Sequence, residues 1–192
     1  FPTRRSSDLP FNCVSRRLVL YSAALSAFAL LFLGGIDLLA QGYLALITTA
    51  ILALAVLFAA QIPALSMALT VIGTAVEIWL GLSPVAGGLS AAMALFLTAA
   101  FASRIWYSIG LSVTIAVGLA VAWVNSFGLL LGADVYGLTF QSELSKTSAF
   151  LVLSLLVGAG NILFWLLGRL AITYEVYVGT EFDRALSADT QA

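Results

Sequence analysis

Long apolar runs separated by short polar, glycine or proline breaks organise this chain. The runs cover residues 18–39, 43–60, 64–82, 85–103, 105–131 and 147–168. A helix needs about 20 mostly apolar residues to cross a hydrocarbon core about 30 Å thick. Backbone groups in hydrocarbon must pair within their own segment, so each run reads as a helix. The pattern predicts an all-α fold: a polytopic membrane helix bundle of about six transmembrane helices over residues 18–169. A short N-terminal segment, 10–17, precedes it, and a cytoplasmic helical stub, 170–192, follows. The breaks are Gln41-Gly42, "QIP" ending at Pro63, "GLSP" ending at Pro84, Arg104, and the polar loop "GADVYGLTFQSELSK".

Charge gives the bundle a direction. Cytoplasmic loops carry the excess of Lys and Arg. Threading six spans from a cytoplasmic Arg16-Arg17 also puts Arg104, Arg169 and Arg184 inside, and leaves Lys146 outside with Asp37, Asp134 and Glu143. Both termini are therefore expected in the cytoplasm of a cell-membrane protein. The turn between the second and third runs has no charge, and a re-entrant hairpin there would reduce the count to four or five. Tyr43 and Trp79 fall near outer ends, and Trp106, Tyr107 and Trp165 near inner ends, as interfacial rings should. Trp123 is the exception, inside the fifth run. The first run is longer than the 7–15-residue apolar core typical of signal peptides.

Composition narrows the chemistry. The 192 residues are 62% hydrophobic and 9% charged, with a mean hydropathy of +1.10, whereas soluble domains carry about 25% charged residues. A net charge of −1 argues against a nucleic-acid-binding face. Cys13 is the only cysteine, so no intrachain disulfide can form, and there is no histidine. The commonest metal ligand and general base are thus missing. With no phosphate loop, clustered metal ligands or nucleophile–base pair, the residues assign no catalytic, cofactor-binding or metal site.

Polar residues within the apolar runs are the remaining candidates. Glu77 lies about 7 Å from the outer end of the third run at the helical rise, and intramembrane acids are functional candidates by default. Its proximity to Trp79 favours an interfacial or protonated carboxyl. Asn125 and Asn161 are expected to hydrogen-bond between helices, and Asp37 to cap an outer loop. In the fifth run Gly110, Thr114, Gly118, Ala122 and Ser126 recur every four residues, a stripe that lets helix backbones approach closely. The pattern leaves open whether the partner is the sixth run or a second copy of the chain. Gly87, Gly88, Ala91 and Ala92 make a similar face on the fourth run. Two other readings follow: a small transporter or channel subunit lined by Glu77, Asn125 and Asn161, and a structural protein self-associating through the stripe.

The ends carry two resemblances. The opening "FPTRRSSDL" is similar to the translated end of a common sequencing adapter, so residues 1–9 read as foreign to the fold. Arg4 and Arg5 are left out of the charge argument for that reason. At the far end, Ala171, Val178, Phe182 and Ala185 have a rough seven-residue spacing, interrupted by Gly179, as at the start of a coiled coil. The segment "LLGRLAITYEVYVGTEFDRALSADTQA" and the span pattern resemble the N-terminal membrane region of actinobacterial sensor histidine kinases. Similar layouts also precede cyclic-dinucleotide synthase domains. The kinase resemblance implies a sensory module ending before the phosphoacceptor His, with no cofactor of its own. It further implies a homodimer joined through helices, and a response regulator engaged only through the kinase region. A stimulus would act by moving the sixth span and its exit helix.

Overall fold

The computed structural model of the chain describes residues 11–82, 84–127 and 146–189. Every regular element among them is helical: α1 (Phe11–Gln41), α2 (Tyr43–Phe58), α3 (Pro63–Trp79), α4 (Val85–Phe101), α5 (Arg104–Ser126) and α6 (Lys146–Asp189). The adapter-like residues 1–9 and most of the polar loop, including Asp134 and Glu143, lie outside the described residues. Two helices extend past the apolar runs they contain. α1 begins at Phe11, ahead of the apolar run. The sixth run and the stub 170–189 form one unbroken helix of 44 residues, since a return of charge does not by itself interrupt backbone hydrogen bonds.

Three tight corners follow from local chemistry. Gly42 joins α1 to α2 at φ 80°, ψ −169°, a backbone region essentially reserved for glycine. Pro63 starts α3, where its missing N–H is no loss, and Ile62 before it is non-helical (φ −131°, ψ 75°), since proline disfavours the α region in the residue it follows. Gly81, at φ +69°, ends α3 in a Schellman motif. Leu82 N–H donates to the Glu77 carbonyl at 2.8 Å and Gly81 N–H to the Ile78 carbonyl at 3.1 Å. Two otherwise orphaned carbonyls are thereby satisfied.

α4 is the hub, packing against each of the other five helices. Ala29 of α1, Leu52 of α2 and Ala86 at the start of α4 form one buried cluster. Leu25 packs instead with Val56, Ala59, Ala94 and Leu97, further along α4. α1 therefore runs antiparallel to α4, and the Arg16–Arg17 backbone lies towards the end where α4 terminates. Buried hydroxyls find partners mainly within their own helices. Thr48 and Thr49 both donate to the Ala45 carbonyl at 2.8 and 2.9 Å, and Thr70 donates to that of Ser66 at 2.9 Å. Thr98 donates to the Ala94 carbonyl at 2.7 Å and also approaches that of Ala59 at 3.3 Å, the capping residue of α2.

Polar side chains are buried beside the apolar core, and many large apolar side chains are exposed. Ser22, Thr48, Thr49, Ser66, Thr70, Glu77 and Ser90 are buried, whereas Leu31, Leu39, Tyr43, Trp79 and Leu155 are at least 70% exposed. Among the described residues two helical segments of the six expected, Arg104–Ser126 and Lys146–Thr180, are long and apolar enough to cross a bilayer. The apolar helices α2, α3 and α4 are shorter, at 16, 17 and 17 residues.

Candidate functional site

Each end of α4 is met by an ionisable side chain from another helix, Glu77 of α3 at its start and Arg169 of α6 at its finish. At its start, Gly87 N–H donates to the Glu77 carboxylate at 3.2 Å. Gly87 is the third helical residue after the capping Pro84, one of the positions left without an intrahelical acceptor. An acidic side chain at that end is also favoured by the helix dipole. Glu77 is 1% exposed and so packed inside the protein, whereas Trp79, two residues on, is 83% exposed. The reason is geometric: the Gly81 corner folds α4 back against α3 and brings its amides to the carboxylate. Gly87 leaves room for this contact: a Cβ there would lie 2.5 Å from Glu77 Oε2 and 2.8 Å from Thr74 Oγ1, so either side chain would have to shift.

At the other end, Arg169 of α6 donates from Nη1 to the Ala99 carbonyl at 3.4 Å. Its guanidinium also lies 4.7 Å from the Tyr107 ring centroid. Tyr107 in turn meets Trp165 edge-on at 5.9 Å. Cations are favourable at helix C-termini, and arginine stacks readily on aromatic faces. Arg104, the exposed first residue of α5, sits one turn from Tyr107. Arg104, Arg169 and the α1 backbone carrying Arg16 and Arg17 thus gather at one end of the bundle. Glu77 marks the other, about 18 Å away along α4 at the helical rise.

The small-residue stripe is occupied within the chain. Gly110, Thr114 and Ala122 are buried. A Cβ on Gly110 would lie 3.1 Å from Met67 Cε and 3.6 Å from Leu95 Cδ1, and one on Gly118 would run into Val157 of α6. Ser126, half-buried at the end of the stripe, has no hydrogen-bond partner among the described residues. Asn161 of α6 donates through Nδ2 to the Thr114 carbonyl at 3.3 Å, the interhelical role expected of it. Asn125 is half-buried and makes no such bond among the described residues. Interhelical side-chain bonds in membrane proteins average about 0.6 kcal/mol. Asn161→Leu should accordingly lower unfolding free energy by about that amount, measured by detergent titration of the purified protein.

Between α4, α5 and α6 lies a half-open cleft of about 320 Å³. Gly88, Ala91 and Ala92 form one wall, Thr114, Val117, Gly118 and Val121 a second, and Leu153, Leu156, Val157, Gly160 and Phe164 a third. Thr74 and Pro84 close one corner, and Asn161 is the only amide in the lining. No charged residue lines it. The three residues of the pathway reading are not brought together: Asn161 lines the cleft, whereas Glu77 and Asn125 do not. Among the described residues no group of three His, Cys, Asp or Glu is placed to hold a metal.

One structural residue escaped sequence reasoning. Gly168 lies against the α4 backbone, where a Cβ would meet the Phe96 carbonyl oxygen and come within 2.9 Å of Ala99 Cβ. It belongs to no four-residue stripe, and its one signal was its position beside Arg169. Comparisons with protein-family models, curated proteins and solved structures return no match to this chain.

Proposed function

We propose that this chain is a multi-pass membrane module that passes a signal to the cytoplasm through α6, the membrane region of a sensor histidine kinase. The observation that carries the output role is the continuity of α6. Its 44 residues rise about 66 Å, roughly twice the hydrocarbon thickness. A single rigid element thus joins the bundle interior, at Gly118 and Asn161, to the charged segment beyond Arg169. Movement within the bundle has a mechanical route out, and a two-state bias of that helix is what a downstream kinase would read.

Membrane embedding draws on the many exposed large apolar side chains, since exposed apolar faces of this extent are unfavourable in water. It draws equally on the basic end marked by Arg104 and Arg169. α2, α3 and α4 rise only about 24–26 Å. Local thinning of the bilayer accommodates such a mismatch at fractions of a kcal/mol per Å. A topology reporter fused at position 192 should report a cytoplasmic location, and one in the Gly81 corner the opposite side. A reporter at 192 on the outer side ends the signalling reading. Coding sequence downstream of Ala192 should carry a His-bearing helix followed by an ATP-binding domain, and a stop codon directly after it removes the kinase assignment.

A further inference from the structure

We propose that the cleft between α4, α5 and α6 binds a neutral, lipid-soluble alcohol, its hydrocarbon filling the apolar walls and its hydroxyl paired with Asn161. Asn161 is 8% exposed and lines the cleft. The bond from its Nδ2 to the Thr114 carbonyl fixes which way the amide faces, because only nitrogen can donate there. Oδ1 is left without a donor among the described residues, yet it is not sealed off as the orphaned Trp165 Nε1 and Ser154 Oγ are. An acceptor at the wall of an apolar cleft calls for a ligand that brings a donor, since an unpaired buried acceptor is costly.

Three features select the class. The lining carries no charge, which disfavours an ionised ligand. The volume, about 320 Å³, falls at the small end of ligand pockets, roughly 300–1,000 Å³. Asn161 lies eight residues from Arg169, about 12 Å along α6, and so deep in the hydrocarbon if Arg169 marks the interface. A charged phospholipid headgroup is far costlier to bring to that depth than a single hydroxyl, whose cost a hydrogen bond to Asn161 offsets. The depth argument rests on the membrane reading; the binding measurement does not, and it stands apart from the topology reporters.

The test uses the full chain in detergent with radiolabelled decan-1-ol and decane as probes. Two variants accompany it. Gly160→Phe fills the cleft from a position where a Cβ meets nothing within 4 Å, so the fold should tolerate the added atoms. Asn161→Leu removes the amide at similar volume. Saturable decan-1-ol binding is expected, abolished in Gly160→Phe and weakened about tenfold in Asn161→Leu, as loss of one buried hydrogen bond implies. Decane should bind more weakly than decan-1-ol and be indifferent to Asn161→Leu. No saturable binding, equal binding of the two probes, or binding unchanged in Gly160→Phe overturns the proposal.

Discussion

Gly168→Ala should destabilise the bundle out of proportion to the single carbon it adds. The new Cβ meets the Phe96 carbonyl oxygen and Ala100 N of α4 as well as Ala99 Cβ, so two of its three nearest neighbours are backbone. Overpacking a close contact costs typically about 1–3 kcal/mol, and backbone atoms cannot escape by changing rotamer, so the upper part of that range is expected. Alanine's better helix propensity, worth about 1 kcal/mol over glycine, offsets only part of it. Gly118→Ala supplies the contrast. Its nearest neighbour is the Val157 side chain, so Val157→Ala should rescue it. Ala99→Gly should not rescue Gly168→Ala, because the carbonyl remains. Detergent-driven unfolding followed by tryptophan fluorescence reads both pairs, Trp165 lying three residues from Gly168. Equal rescue in the two pairs would mean that α4 and α6 are not in backbone contact.

The second large effect belongs to Glu77. Glu77→Ala should lower unfolding free energy by about 2–4 kcal/mol, the loss of a cap plus that of an acid at a helix N-terminus. Glu77→Gln keeps an oxygen that Gly87 N–H can reach and should cost less than half as much. Gly87→Ala ought to stabilise an exposed helix but should destabilise this one, since its Cβ meets Glu77 Oε2 at 2.5 Å. Combined with Glu77→Ala, the penalty at Gly87 should shrink, a coupling that a double-mutant cycle isolates. Strict additivity would separate Glu77 from the start of α4. It would also reopen the pathway reading, in which Glu77 serves transport and not the α3–α4 corner.

The sequence by itself determined much of the helical skeleton. Apolar runs located α2, α3 and α4 to within a few residues. Gly42, Pro63 and Gly81 stand at corners whose backbone demands them, because a positive φ or a helix start is decided within a few residues. The basic cluster was legible for the same reason: Arg104 and Arg169 each flank a run, and alternation of the runs puts them at one end. The helical stub after Arg169 was legible too, and it continues the sixth run without a break, since nothing there interrupts the backbone hydrogen bonds.

Only the tertiary structure decided what the polar and small residues do. The partner of Glu77 is an amide ten residues along, reached because the Gly81 corner turns α4 back on α3. The stripe on α5 meets Val157 of α6 at Gly118, and Met67 of α3 and Leu95 of α4 at Gly110. Gly168 and the cleft beside Asn161 have no local signature, because each depends on the distances between helices that the chain separates by tens of residues. Local backbone chemistry is written in neighbouring letters; contacts and voids between helices arise from how whole surfaces fit together.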